Sequence, residues 1–174
     1  MTKIYDKSSR VLFECESDNV KDCVLKAVEI GANLCGANLG GANLRCAYLG
    51  GAYLGGADLH GAKNIPYIPL ICPSDGEFTA WKKADGRLVK LLIPADARRS
   101  SATTNKCRCD KAMVVAITSL DEKEEYSEVT SHTYTPLTYR AGEMVYPDSF
   151  NEDRWNECSN GIHFFIDKQD AINY

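Results

Sequence analysis

The stretch GANLCGANLGGANLRCAYLGGAYLGGADLHGAK, residues 31–63, repeats itself every five residues. Alanine returns with this period, and leucine follows two residues behind the first six alanines, at Leu34, Leu39, Leu44, Leu49, Leu54 and Leu59. Helices and strands have periods of about 3.6 and about 2 residues, so neither produces this spacing. A short fixed period indicates that each repeat is one structural unit, which buries its apolar side by stacking on the next.

The motif A(N/D/Y)LxG in this stretch resembles the pentapeptide-repeat family. The resemblance implies a short right-handed quadrilateral β-helix, a solenoid with one repeat on each side and the leucines inside. Six repeats would form about one and a half coils, so the solenoid needs caps. We predict an N-terminal cap made of a hairpin (Lys3–Tyr5 with Arg10–Glu14) and a helix from about Asn19 to Ile30, which Asp18 or Ser17 begins.

The remaining sequence predicts a second, non-repetitive domain. We divide the chain into a hairpin and capping helix (1–30), the solenoid (31–64), a proline-punctuated linker (65–76) and a small α+β domain (77–174) with a mostly antiparallel sheet. Within this domain the Asp85-Gly86 pair predicts a hairpin turn. The other predicted elements are strands at Met113–Ser119, Thr133–Tyr139 and Gly161–Ile166 and a final helix at Lys168–Asn173 capped by Asp167.

Composition limits the setting of the protein. The chain has 174 residues, a formal net charge of −4 and eight cysteines. It contains no apolar run of the roughly 18–20 residues that a membrane span requires, and no secretory signal at its start. We therefore expect a cytoplasmic protein with reduced thiols and no membrane partner.

Three C-terminal stretches carry a second resemblance. The sequences KLLIPADARRSSATTNKCRCDKA, YRAGEMVYPDSF and ECSNGIHFF resemble an uncharacterised domain found behind pentapeptide repeats in bacteriophage and bacterial proteins. The resemblance implies the architecture and a phage or bacterial context, but it implies no activity.

Charge is segregated within the C-terminal domain. Nine basic residues and three acids lie between Lys82 and Lys111, whereas ten acids and three basic residues lie between Asp121 and Glu157. One interpretation is two solvated faces that partly neutralise each other. The other is a site for a phosphate-bearing small molecule, since arginine forks and hydroxyls suit phosphate geometry. The predicted residues are Lys90, Arg98, Arg99, Ser100, Ser101 and Arg108. The acidic chain does not predict binding to duplex DNA.

The stretches YRAGE and GIHFFIDKQDAINY resemble the ADP-ribosyltransferase core. The resemblance implies a cofactor cleft around Tyr139, Arg140, Gly161 and His163. Those enzymes carry a catalytic glutamate on a later strand, and this sequence ends at Tyr174, so we expect at most a degenerate, binding-only relative. The other interpretation of GIHFF is a core strand with a hydrogen-bonded histidine.

Two further sets of residues are candidates for binding. Cys107 and Cys109, with Cys158 and His163, could supply three sulfurs and one nitrogen to zinc, but cysteine is also a common buried apolar residue, and we predict no metal and no cofactor. Tyr48 and Tyr53 lie at outward repeat positions, where they could anchor a protein or a second copy of the chain.

We therefore predict a non-enzymatic binding protein, and from the resemblance a phage accessory protein that sequesters or inhibits a host component. The alternatives are a sponge for an anionic nucleotide signal and a degenerate ADP-ribosyltransferase-like domain.

Overall fold

A computed structural model describes residues 1–49, 54–132 and 135–174 of the chain. The described residues form two compact units, Met1–Pro69 and Leu70–Tyr174. No helix in these described ranges is long and apolar enough to cross a membrane. The helices and strands are β1 (Thr2–Tyr5), β2 (Val11–Cys15), α1 (Val20–Glu29), β3 (Phe78–Ala84), β4 (Arg87–Ile93), β5 (Arg99–Ser101), β6 (Cys107–Cys109), β7 (Ala112–Ser119), β8 (Glu128–Ser131), β9 (Leu137–Arg140), β10 (Met144–Val145), β11 (Ile162–Phe164) and α2 (Lys168–Asn173).

The first unit begins with a hairpin and a helix. β1 pairs antiparallel with β2, and the side chain of Asp6 closes their turn by accepting hydrogen bonds from the backbone N–H groups of Ser8 and Arg10 at 2.8 and 2.9 Å. Asn19 is the N-cap of α1, because its Oδ1 accepts a hydrogen bond from the N–H of Asp22 at 2.9 Å. The predicted caps, one or two residues earlier, are therefore wrong.

The repeat segment, residues 31–63, buries its leucines. Backbone hydrogen bonds join residues that lie 19 or 21 positions apart in sequence: the Leu39 N–H donates to Asp58 O at 2.8 Å, and the Asp58 N–H donates to Ala37 O at 2.7 Å. Lys63 pairs in the same way with Leu44 and Ala42. The six leucines of the period are exposed by 8% or less: Leu34, Leu39, Leu44, Leu49, Leu54 and Leu59.

The prediction of a quadrilateral β-helix is wrong for the structure as described. Positions 31–49 and 54–64 contain no strand, and turns alternate there with two isolated parallel bridges, Asn38↔Asp58 and Asn43↔Lys63. The physical reason is the length of the repeat, because a chain that turns within every five residues leaves no run of ladder pairs long enough to form a strand.

The second unit also departs from the predicted α+β domain with one mostly antiparallel sheet. Its strands are distributed over separate small antiparallel sheets with the orders β10-β7-β4-β3, β11-β6-β5 and β8-β9. The only helix in the described part of this unit is α2. Short strands separated by long connections cannot extend into one wide sheet, so the apolar faces of several small sheets enclose a common core. Its largest members include Leu91, Ile93, Tyr139 and Phe164.

Local signals in the sequence did locate several elements of this unit. Asp85 and Gly86 form the turn between β3 and β4 with φ of 44° and 69°, the left-handed values that a tight hairpin requires. Asp167 caps α2 by accepting hydrogen bonds from the next turn. The predicted strand at Thr133–Tyr139 lies partly outside the described residues, and β9 begins directly after Pro136.

Candidate functional site

The candidate site is a cavity of about 110 Å³ in the second unit, beside β3 and β11. Trp81 on β3 and Phe165, the residue that follows β11, form a bridge in which they exchange two N–H···O hydrogen bonds of 2.8 Å. The cavity walls come from β3, β8, β9, β11, the end of the chain and the connection between β10 and β11: Lys82, Lys83, Ser131, Thr135, Pro136, Leu137, Tyr139, Pro147, Asp148, Ser149, Ser159, Asn160, Gly161, His163, Phe165 and Tyr174.

Lys82 brings an unpaired amine into this cavity. Alternation along β3 places it on the same face as Ala80 and Ala84, which belong to the core. Its Nζ lies 5.8 Å from the ring centroid of Tyr139, and it forms no ion pair or hydrogen bond with any residue that the structure describes. Burial lowers the pKa of this amine to about 8, and the positive charge of Lys106 acts in the same direction.

Tyr139 contributes a buried phenol to the same cavity. Its side chain is 1% exposed, and burial raises the pKa of its hydroxyl. Within the described ranges the hydroxyl has no hydrogen-bond partner. Because buried tyrosine hydroxyls usually find a partner, this group is available to a bound molecule.

His163 is held in a neutral form on β11. Its Nε2 donates a hydrogen bond to the carbonyl oxygen of Ser159 at 2.7 Å, which leaves Nδ1 with the lone pair. Burial lowers the pKa of the imidazole to about 4, and the charges of Lys106, Lys82 and Arg108 add to this effect. The imidazole of His163 is therefore neutral near pH 7.

The depressed pKa of His163 predicts a pH dependence of stability. Between pH 6.5 and about 4 the unfolded chain binds a proton at this imidazole and the folded chain does not, so acid favours unfolding. We expect the free energy of unfolding to fall by up to about 3 kcal/mol across this window, relative to the variant His163→Gln, which keeps an N–H donor. Urea unfolding of both proteins at each pH measures the difference.

The comparison with His163→Gln also supplies the control, because all other titrating groups are common to both proteins and cancel. The difference should be constant above about pH 7.5 and again below about pH 3, one unit beyond each of the two pKa values. A difference that does not change between these limits would show that the imidazole titrates normally in the folded unit.

The charges around the cavity favour an anion. The lining contains two lysines and one acid, the exposed Asp148. Lys83 is occupied, since its Nζ donates to the carbonyl oxygen of Ile172 at 2.8 Å. Lys106, just outside the lining, is also occupied, since its Nζ lies 3.1 Å from Cys158 Sγ and 3.3 Å from Tyr174 Oη. Lys82 is therefore the cation that remains for a ligand.

The predicted arginines are not brought together at one site. Arg98 is exposed and pairs with Asp110 at 2.9 Å and Glu152 at 2.7 Å. The guanidinium of Arg99 donates to five backbone carbonyl oxygens and thereby holds loops together, those of Pro73, Gly76, Pro94, Ala95 and Ala97. Arg108 is 1% exposed and also donates to backbone carbonyls. These contacts occupy the donors that a phosphate site would use.

The other predicted members of the anion site lie elsewhere. Ser100 is buried, and its Oγ has no hydrogen-bond partner in the part of the chain that is described. Ser101 Oγ accepts a hydrogen bond from the Ile71 N–H at 2.8 Å. Lys90 lies on β4 with its Nζ 5.6 Å from the ring centroid of Trp81. The phosphate site at these residues stays a prediction.

The predicted cofactor cleft is brought together in part. Tyr139, Gly161 and His163 line the cavity described above. Arg140 does not, because it is exposed at the end of β9 and its Nε pairs with Glu128 at 3.1 Å.

The residues considered for zinc lie apart. Cys107 and Cys109 face the core with their register partners on β11, whereas His163 and its partner Arg108 lie on the opposite face of the same sheet. Cys158 is exposed. Among the described residues no group of three or more His, Cys, Asp or Glu could hold a metal ion.

Of the two repeat tyrosines that we predicted to bind a partner, the structure describes one. Tyr48 is 79% exposed. Tyr53 lies outside the described residues.

Sequence reasoning missed the most informative residue, Lys82. A signal was present, since Lys82 alternates with Ala80 and Ala84 on the inward face of a hairpin strand. A lysine at such a position is unusual, because lysine side chains are mostly exposed, whereas that of Lys82 is half-buried. Ser131, on the short strand β8, and Ser159, in the connection between β10 and β11, also line the cavity, and no sequence period marks either position.

The two units match known families. The fold defines a protein with a repeat segment, which is followed in sequence by a compact, sheet-rich unit that contains the candidate cavity. The family model of pentapeptide repeats (8 copies) matches residues 30–62. The model of a family of unknown function, DUF5758, matches residues 68–171. Because this second match spans more than half of the sequence, the chain belongs to the DUF5758 family. No curated protein and no solved structure matches it. The predicted pairing of pentapeptide repeats with an uncharacterised domain is thereby confirmed.

Proposed function

We propose that this chain is a non-enzymatic binding protein whose second unit takes up a small anionic molecule in the cavity beside Lys82. The observation that carries the proposal is the half-buried Lys82, which lines the cavity and whose amine has no hydrogen-bond or ion-pair partner among the described residues. A desolvated ammonium without a counter-ion is unfavourable, and a bound anion would remove this cost.

The size of the cavity supports a small ligand. Sites for drug-sized molecules measure about 300–1,000 Å³, whereas this cavity measures about 110 Å³. That volume suits a small acid or a single phosphate or carboxylate head group. A nucleotide would place its head group in the cavity and extend outside it.

The polar groups of the cavity support recognition of an acidic oxygen. The hydroxyl of Tyr139 and the ammonium of Lys82 are both donors, and neither is occupied by a described residue. The neutral His163 adds no negative charge. A carboxylate or phosphate oxygen can therefore accept two hydrogen bonds here.

The test compares binding of defined anions to the full chain and to Lys82→Met. The probes are inorganic phosphate, pyruvate, malonate, AMP and ADP-ribose, measured by calorimetry and by native mass spectrometry. We expect at least one probe to bind with one molecule per chain and to bind about 10–100-fold more weakly to Lys82→Met, because a charge-assisted hydrogen bond contributes about 1.5–3 kcal/mol.

The matched control is Lys123→Met, which removes an exposed lysine from the turn before β8. It should bind the probes as the unchanged chain does. Lys82→Met should stay folded, because it replaces a desolvated amine with an apolar side chain. If none of the probes binds, or if Lys82→Met binds as tightly as the unchanged chain, the proposal is wrong.

Capture of a protein is the second candidate, and the ring of Tyr48 on the repeat segment is the observation that favours it. One exposed ring defines an anchor rather than an interface, so the small anion ranks first. The same native mass spectra would reveal a bound protein or a second copy of the chain. A phage setting and the inhibition of a host component stay predictions from the resemblance.

A further inference from the structure

The amine of Lys82 differs from the other lysines around the cavity in having no partner. Lys83 donates to a backbone carbonyl, and Lys106 contacts Cys158 and Tyr174. Lys82 lies on the core face of β3 and contacts the ring of Tyr139. An enclosed and unoccupied amine can act as a nucleophile as well as a cation.

We propose that Lys82 captures its ligand covalently and reversibly, by forming an imine with the carbonyl carbon of a small aldehyde or 2-oxo acid. This inference deepens the proposed function and rests on it, because it assigns the chemical class of the molecule that enters the cavity.

The protonation state of Lys82 supports this chemistry. With a pKa of about 8, about one amine in ten is unprotonated at pH 7, whereas an exposed lysine near its ordinary pKa has fewer than about one in a thousand. Burial lowers the pKa of Lys82, Cys109 acts to raise it and Lys106 acts to lower it. Tyr139, His163 and, from the mouth of the cavity, Asp148 also line the same cavity. The acid is exposed, so it does little to restore the ammonium form.

The reaction balances without an oxidant or a reductant. The Nζ lone pair of Lys82 attacks the carbonyl carbon, and the carbonyl oxygen takes up a proton to give a carbinolamine. The hydroxyl group then takes up a proton from solvent and leaves as water, while the nitrogen lone pair forms the C=N bond of a protonated imine. The hydroxyl of Tyr139 can donate to the carbonyl oxygen, and the proton that the attacking nitrogen loses passes to that oxygen. A protonated imine keeps one positive charge, which a carboxylate on the ligand can pair with.

A small 2-oxo acid satisfies both parts of the site. Its carbonyl carbon can react with the amine, and its carboxylate can accept hydrogen bonds in a cavity whose enclosed charge is positive. A molecule of this kind contains few enough atoms for a cavity of about 110 Å³.

Reductive trapping tests the inference on the full chain. The protein is incubated with glyoxylate or with propanal in the presence of sodium cyanoborohydride, which converts an imine into a stable secondary amine, and the modified lysines are identified by peptide mass spectrometry. We expect Lys82 to be modified at least tenfold faster than its neighbour Lys83 and than the exposed Lys123. Its rate should rise with pH and level off near pH 8, whereas the rate at Lys123 should continue to rise.

The outcomes separate this inference from the proposed function. If Lys82 reacts no faster than Lys83 and Lys123 while the anions still bind through it, imine formation is rejected and anion binding stands. If propanal modifies Lys82 selectively but no anion binds, imine formation stands and anion binding is rejected. The absence of both results overturns both.

Discussion

Replacing Arg108 with methionine is expected to lower the free energy of unfolding of the second unit by about 3–5 kcal/mol. Arg108 lies on β6 with a side chain that is 1% exposed. Its Nη1 donates to the carbonyl oxygens of Asn151 and Asn160 at 2.9 and 2.8 Å, and its Nη2 donates to that of Asp153 at 2.9 Å. Methionine fills similar space but leaves three carbonyl oxygens without these donors.

The loss should extend to the binding site. The three carbonyls belong to the connection between β10 and β11, and this connection supplies Ser149, Ser159 and Gly161 to the cavity wall. Arg108→Met should therefore weaken binding of any ligand even under conditions where the unit stays folded. The fluorescence of Trp81 and Trp155, the two tryptophans of the chain, reports unfolding of this unit in urea.

Arg98→Met provides the matched control. Arg98 forms two ion pairs shorter than 3 Å, yet it is exposed, and exposed ion pairs contribute little to stability. Counting ion pairs alone would predict that Arg98→Met loses more stability than Arg108→Met, because Arg108 forms no ion pair with a described residue. If the two variants lose equal stability, the anchoring role assigned to Arg108 is wrong.

Replacing Leu44 with alanine should destabilise the first unit by about 2–5 kcal/mol, the usual cost of removing a fully buried leucine. Leu44 is 0% exposed, and its N–H donates to Lys63 O at 2.8 Å. The loss should appear as faster hydrogen exchange at the backbone N–H groups of Leu44 and Lys63. These groups donate to Lys63 O and Ala42 O, and thereby join repeats that are distant in sequence.

The control for Leu44 is its exposed neighbour, Arg45→Ala, which should leave exchange at these amides unchanged. The tryptophan signal should not respond to either variant, since both tryptophans belong to the second unit. Equal exchange rates in Leu44→Ala and in the unchanged chain would mean that the leucines of the period do not stabilise the segment.

The repeat segment shows how far a periodic sequence can be interpreted. The period of five correctly identified the buried leucines, because each repeat must place its large apolar residue on the same side of the chain. It did not correctly predict the secondary structure. Paired segments form strands only when several consecutive residues pair with each other. In this segment the pairs are isolated bridges, with turns between them.

The second unit shows the same division between local and distant signals. Asp85 and Gly86, and Asp167 before α2, were identified from sequence because turns and caps depend on residues that are adjacent in the chain. β5, β6, β8 and β10 were not predicted. These strands have two to four residues, and pairing with distant partners stabilises them more than their own composition does.

By itself, then, the sequence determined which leucines are buried, where the hairpin turn and the last helix lie, and that arginines and lysines are concentrated between Lys82 and Lys111. Only the tertiary structure decided what these charges do. It directs Arg99 and Arg108 to backbone carbonyls and leaves the amine of Lys82 without a described partner in a cavity. The physical reason is that a side chain is occupied or free according to which distant backbone atoms come within about 3 Å of it, and residues far apart in the chain meet only when the fold has formed.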